Sequence, residues 1–174
     1  MTLVHRPLTR AEAVHVHDAL KETPNILGYT VRELLRLSDV WIAEVVGVFA
    51  GVCFSMDLAQ NWTEIAALLV LPEFRGLGLG AALFDAAWAR AEARGRHLYI
   101  LSRNPQVIGW MMVRGMTLTD KVWQAPFAVH WYMARYMASR HRTAEGFRKR
   151  KEIEKCPPLM AGTKRWSAGG KTRV

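Results

Sequence analysis

Apolar positions along this chain alternate between two periodicities, and that alternation lays out an order of elements. Thr2 to Arg6 is a short edge-strand candidate. Thr9 opens a helix with Glu12 three residues on, the spacing at which the two side chains satisfy each other's helix-end amides. That helix is expected to run to about Glu22, before Thr23-Pro24-Asn25. A second helix is expected from Tyr29 or Thr30 to Leu37, with Leu34, Leu35 and Leu37 on its apolar side. Asp39 to Val46 and Phe49 to Met56 are rich in Val, Phe, Trp and Ile, and Gly47 between them predicts a hairpin. Gln60-Asn61 turns the chain into a buried strand, about Thr63 to Val70, which Pro72 ends.

A helix from about Gly78 to Arg94 comes next. Leu79, Leu83, Ala87 and Ala91 recur at a spacing of four, and Phe84 and Trp88 widen the stripe. Gly95 terminates it. His97 to Leu101 reads as a short strand and Asn104 to Val113 as a short helix ended by Arg114-Gly115. Met116 to Gln124 and Phe127 to Met133 read as two further strands joined at Ala125-Pro126. Antiparallel hairpins followed by a strand–helix–strand–helix–strand passage require at least one parallel crossover. The expectation is an α/β (α+β) protein with a mixed sheet flanked by helices.

Composition then divides the chain. The formal charge is +9, but residues 1–120 hold 11 Lys/Arg against 12 Asp/Glu, whereas residues 121–174 hold 13 against 3. The core is therefore nearly neutral and the C-terminal part basic. Tyr136 to Glu154 is a weakly periodic helix candidate, Cys156-Pro157-Pro158 stops any regular element, and AGTKRWSAGGKTRV is expected to be disordered. We expect a domain over residues 1–136 and a basic extension over 137–174. Cys53, in an apolar run, reads as a small core residue, and two cysteines do not suggest a stapled scaffold. There is no apolar leader core, and no stretch approaches the roughly 18 apolar residues of a membrane span, so a cytoplasmic protein without a span is the expectation.

The segment Arg75-Gly76-Leu77-Gly78-Leu79-Gly80, between a strand end and a helix start, carries the chemistry. Glycines allow tight turns and close approach of another molecule to the backbone, and the unpaired amides of a helix start attract anions. A phosphate-bearing ligand follows. Without Gly-Lys-Ser/Thr it is no Walker-type loop, and the glycine spacing does not fit a dinucleotide fingerprint. Gly76 alone is explained by close helix–sheet packing.

With Arg75, Gly78 and Gly80 spaced as Arg/Gln, two residues, Gly, one residue, Gly/Ala, the chain resembles the GCN5-related N-acetyltransferase (GNAT) superfamily. The resemblance spans roughly residues 2–135, most strongly 63–116. It implies the acyl-CoA N-acyltransferase fold, with a mostly antiparallel sheet, and acetyl-CoA as cosubstrate. Its pyrophosphate would lie on the amides of Arg75, Gly76, Leu77, Gly78, Leu79 and Gly80. A splayed strand would offer the backbone of Leu68, Leu69 and Val70 to the pantetheine arm, the Val70 amide polarising the thioester carbonyl. Asn104 would bond the same arm, although an N-cap role alone explains it, with Pro105 as first helical residue. Trp110 and Met111 fall at the family's aromatic and tyrosine positions, and Gly115-Met116 replaces its Gly-Phe.

The catalytic half differs from the family. Glu64, eleven residues before Arg75, stands in the register of the family's glutamate base, against an ordinary solvated strand-end carboxylate as the alternative. Met111 stands where a tyrosine would donate a proton to the leaving thiolate, and methionine has none to give. Tyr99 and His130 are the substitutes in reach of the pattern. The histidines show no metal-ligand spacing, and no metal is inferred.

The basic cluster Arg135, Arg140, Arg142, Arg148, Lys149, Arg150, Lys151 and Lys155 is interleaved with Trp131, Tyr132, Tyr136 and Phe147. Such a mixture suits nucleic-acid backbones and bases, but no base-reading signature accompanies it, and a solvated basic extension or a homodimer contact through Trp131, Tyr132 and Tyr136 competes. Two functions stand. One is an N-acetyltransferase moving acetyl from acetyl-CoA to a primary amine of a small molecule or protein. The other is a nucleic-acid- or ribosome-associated protein, contacting through residues 135–155, with a weak GNAT-like core.

Overall fold

The structure, a computed structural model, describes residues 1–23, 26, 28–138 and 140–166, without the side chains of Met137 and Arg140. Pro24, Asn25 and the last eight residues of the expected disordered stretch lie outside the described residues. The strands are β1 (Thr2–His5), β2 (Asp39–Val45), β3 (Val48–Asp57), β4 (Trp62–Val70), β5 (His97–Ser102), β6 (Thr117–Thr119) and β7 (Met160–Lys164). They form one sheet in the order β1-β2-β3-β4-β5-β7-β6. Every neighbouring pair is antiparallel except β4–β5, the parallel crossover required by the element order. The fold is that of the acyl-CoA N-acyltransferases, a mostly antiparallel open sheet with helices on both faces.

Strand alternation decides which helix covers which face. Val40, Ile42, Val52, Phe54, Ala67 and Leu69 point to one side, where Ala13, Val16 and Leu20 of α1 (Arg10–Glu22) and Leu34 of α2 (Val31–Leu34) meet them. Both helices start with a capping box, Thr9 with Glu12 and Thr30 with Glu33. Ala43, Cys53, Ile65, Leu98 and Ile100 point to the other side, against Leu83, Phe84, Ala87 and Ala91 of α3 (Leu79–Ala93) and Met111 of α4 (Pro105–Val113). Cys53 is a buried core residue, and burial pushes its thiol far above its usual range.

One irregularity positions the site. β4 pairs with β5 only from Trp62↔His97 to Ile65↔Ile100, then runs on to Val70 paired with β3 on its other edge. Against β3, Phe54 faces Ala67 and Ser55 faces Ile65, so Ala66 is the extra residue of a β-bulge. A bulge bends its strand and increases the twist. Here it sits where β4 leaves β5, and the two strands open a cleft.

Three expectations at the C-terminal end are corrected. Phe127 to Met133 is not a strand but part of helix α5 (Phe127–Met137). Pro126 is its N-cap, and Ala128, Val129, Tyr132, Met133 and Tyr136 recur on one helical face. The strand expected from Met116 to Gln124 is only Thr117–Thr119, followed by a 3-10 turn at Val122–Gln124. The stretch expected to be disordered from Ala161 contains most of β7, which pairs with β5 on one edge and β6 on the other. Gly162 is required there: a Cβ would stand 2.7 Å from Met111 Sδ and 3.1 Å from Leu118 Cδ2. The helix expected within 136–154 is α6 (Arg140–Ile153). Together α5 and α6 form a long excursion between β6 and β7.

Candidate active site

The candidate cofactor half of the site begins at the end of β4 that has left β5. The Leu71 amide donates to Ala50 O of β3 at 3.0 Å, so by strand alternation the Leu69 amide also faces β3 while those of Leu68 and Val70 face the cleft. Leu69 spends its side chain in the core beneath α1. The Val70 carbonyl accepts from Arg75 Nε at 3.3 Å, which folds the arginine back onto the strand end.

Pro72–Phe74 forms one 3-10 turn, and Gly76 (φ 85°) and Gly78 (φ 76°) adopt the left-handed conformation that favours glycine. Gly78 caps α3 without any side-chain bond, and no acidic residue lies in the first turn. The first helical bond here runs from the Ala82 amide to Gly78 O, which leaves the amides of Leu79, Gly80 and Ala81 without intrahelical partners. Unfilled amides at the positive end of a helix suit an anion. Gly80 serves packing, since a Cβ would lie 3.2 Å from Trp110 Cη2. Asn104 caps α4, its Oδ1 accepting from the Gln106 amide at 2.9 Å.

At the apex of the splay stands Glu64, directly opposite Tyr99 in the parallel register. Glu64 is 7% exposed, and its Oε2 has no hydrogen-bond partner. Burial raises its pKa to about 7, and the Tyr132 hydroxyl pulls it the other way. It is not a solvated strand-end carboxylate. Tyr99 is fully buried with an unpartnered hydroxyl, and burial, then the Glu64 charge, hold that hydroxyl protonated. Met111 is completely buried against the α3 side, so α4 presents no proton donor at that position. His130 is exposed on α5, away from the core.

The basic cluster is partly consumed inside the fold. Lys149, 1% exposed, donates to the carbonyls of Leu20 (2.8 Å), Thr23 (2.7 Å) and Ile26 (2.8 Å). It thereby neutralises the negative end of α1. Arg148 bonds Glu145 and Lys21 O, and Arg142 pairs with Glu33 at 2.8 Å. Trp131 and Phe127 stay exposed, whereas Tyr132 and Tyr136 turn toward the sheet.

The structure also assembles a group that sequence reasoning did not bring to the site. Tyr29, Tyr132, Tyr136 and Arg142 gather over the face that carries Glu64, with the Arg142 guanidinium 3.8 Å from the Tyr136 ring centre and 5.1 Å from that of Tyr29. The spacing of Val129, Tyr132 and Tyr136 is the one local signal that could have placed a helix there.

The comparisons with known proteins fit this geometry. Residues 16–116 match the model of the Acetyltransferase (GNAT) family. Among solved structures, N-acetylglutamate synthase from Neisseria gonorrhoeae, bound to coenzyme A and N-acetyl-glutamate, superposes with a TM-score of 0.65 at 19% identity, over 93% of this chain and 34% of that one. Rv2747 from Mycobacterium tuberculosis, in complex with CoA and NLQ, gives 0.66 at 16% identity over 92% and 98% of the two chains. Phosphinothricin acetyltransferase from Sinorhizobium meliloti, in complex with AcCoA, gives 0.55 at 21% identity over 68% and 77%. A curated relative, the Blood group Rh(D) polypeptide of Rattus norvegicus, is 29% identical over 154 residues, 76% of this chain and 35% of that one. The chain thus spans about a third of that relative and of the Neisseria synthase, and among the described residues no helix is long and apolar enough to cross a membrane. On the family match and the splayed, glycine-turned sheet together, the chain belongs to the acetyltransferase (GNAT) family.

Proposed function

We propose that this protein transfers an acetyl group from acetyl-CoA to a primary amine, with Glu64 as general base. The observation that carries the reading is one strand, β4, with an anion-ready turn at its free end and a buried carboxyl of pKa about 7 at the apex of its splay. The amides of residues 76–81 hold the pyrophosphate, Leu68 and Val70 offer backbone to the pantetheine arm, and Arg75 keeps the strand end in place. Asn104 stands at the opposite lip of the cleft, on β5's side.

The chemistry needs two protons moved. Glu64 takes one from the substrate ammonium, and the free amine nitrogen attacks the thioester carbonyl carbon. The Val70 amide faces the oxygen on which charge develops. When the C–S bond breaks, the CoA thiolate takes a proton and the nitrogen loses its second one. With Met111 in the tyrosine position, Tyr99, opposite Glu64 in the parallel register, is the candidate relay: it gives its proton to the thiolate and is reprotonated by the Glu64 carboxyl, which then takes up the second nitrogen proton. No free tyrosinate forms, which suits a hydroxyl so strongly held protonated.

A nucleic-acid role for residues 135–155 is less well supported, because Arg142 and Lys149 face inward and Arg148 is engaged. Calorimetry with acetyl-CoA, followed by thiol release over a panel of primary amines, tests the enzyme reading. Saturable binding and amine-dependent thiol release are expected. Absence of binding would refute it.

A further inference from the structure

Glu64 and Arg142 pose the same question from opposite charges. Each is 7% exposed, and each retains a buried polar atom without a partner, Oε2 in Glu64 and Nε in Arg142. Burying an ionic group with unfilled hydrogen-bonding capacity is costly, so such an atom marks strain or a place for a ligand. Here there are two, of complementary kind, on one face of the sheet.

The tyrosines join them. Tyr29, Tyr132 and Tyr136 each interact electrostatically with both Glu64 and Arg142. Ring centres lie 6.0 Å apart for Tyr29–Tyr136 and 5.7 Å for Tyr132–Tyr136, so the group is continuous. Tyr132 and Tyr136 are only half-buried, and the cluster therefore reaches the surface. Stacking against two rings fixes the plane of the guanidinium, and Glu33 engages its Nη2 at 2.8 Å. Tyr136 also hydrogen-bonds the guanidinium, and Nε is the nitrogen without a partner, suited to a carboxylate oxygen.

We propose that the acceptor is an amino acid with a free carboxylate, its amine at Glu64, its carboxylate on the Nε edge of Arg142 and its carbon skeleton among the tyrosines. The inference rests on the acetyltransferase reading above and adds the substrate class. A buried carboxyl beneath α5 suits a small zwitterion better than a folded protein's lysine. The ammonium of an amino acid meets Glu64 and its carboxylate meets Arg142, whose Nη2 Glu33 already engages, so each end of the substrate faces an opposite charge. Helix α6, supplied by the excursion between β6 and β7, then selects the substrate while the sheet performs the chemistry.

The test compares free amino acids, α- and ω-, with the corresponding carboxamides as acceptors in a thiol-release assay. Wild type should acetylate at least one amino acid and prefer it to its carboxamide. Arg142→Gln should raise KM for that amino acid by about 10- to 100-fold, the loss of a charge-assisted bond, with kcat largely kept and the carboxamide's KM unchanged. Arg142→Lys, which keeps the charge if the glutamine variant does not fold, should shift KM in the same direction by less. Lys151→Gln, an exposed cation on the same helix, should leave the preference intact. Equal use of carboxamides, equal loss of both substrates in the Arg142 variants, or acetyl-CoA binding with no amino acid acetylated would overturn the substrate class and leave the acetyltransferase reading standing. Failure to bind acetyl-CoA at all would overturn both.

Discussion

Glu64 holds a free-energy conflict that makes it both useful and measurable. Its carboxyl is buried without a partner for Oε2, and its pKa rises from 4.5 to about 7. Below pH 4.5 it is protonated whether the chain is folded or not, and it costs nothing. Between pH 4.5 and 7 the unfolded chain ionises while the folded one resists, so stability falls as pH rises. Above pH 7 the penalty is constant at about 3 kcal/mol, from 1.4 kcal/mol per pH unit. Glu64→Gln should therefore be more stable than wild type at pH 8, by up to that amount, and indistinguishable from it at pH 4; denaturant titrations at the two pH values check this. Turnover should change in the opposite sense. Wild-type kcat/KM should climb through pH 7 as the base ionises, and the glutamine variant should lose about 100-fold or more together with that limb of the profile. A variant that keeps the limb would remove Glu64 from the role of base. This residue was legible in the sequence because its distance from Arg75 is fixed within one strand–turn segment. Arg142, the proposed carboxylate partner, was not legible, because it meets the candidate site only through the packing of α5 and α6, and in sequence it looks like any member of a basic run.

Among the elements, the segments read correctly were those whose signals are local. Thr9 with Glu12 marks the start of α1, Gly78 ahead of the Leu79–Leu83–Ala87–Ala91 stripe marks α3, and Asn104-Pro105 marks α4. The segment from Phe127 misled because Phe, Val, Trp and Tyr favour strands when taken one by one, while their helical face becomes visible only once a sheet stands beneath it. Helix α6 misled by charge. Its mean polarity suggests a solvated extension, yet Lys149 supplies three hydrogen bonds to carbonyls at and beyond the end of α1. Lys149→Met would fill the same space and leave those acceptors without their cation. We expect a loss of about 2–3 kcal/mol, lowering Tm by roughly 5–10 °C for a domain of this size. Lys151→Met, two residues on and exposed, should stay within about 0.5 kcal/mol of wild type. Equal effects of the two substitutions in thermal melts would mean that α6 does not dock on α1 through Lys149.

At the level of the whole molecule, the charge boundary near residue 120 is not a structural boundary. β7, from the basic part, fills the sheet position between β5 and β6, and Trp166 beyond it donates through Nε1 to Glu92 at 3.0 Å and packs on Trp88. Compositional asymmetry hid this strand, since Met160 to Lys164 follows two prolines and carries little apolar weight of its own. Deleting the basic part is therefore a poor way to ask what it binds. A chain ending at residue 156 would strip β5 of one neighbour and β6 of the only one it has among the described residues, leaving unpaired edges that invite aggregation. A chain ending at residue 166 would retain every strand of the described residues. We expect the shorter chain to lose its cooperative melt and its soluble yield, and the longer to match the full chain, as judged by circular dichroism and gel filtration. A sharp, unchanged melt for the 156-residue chain would mean that β7 is dispensable. Should the melt be lost, the sheet closes only after the excursion has been laid across Glu64. The segment that covers the candidate acceptor site would then be bound into the fold by the strand that follows it.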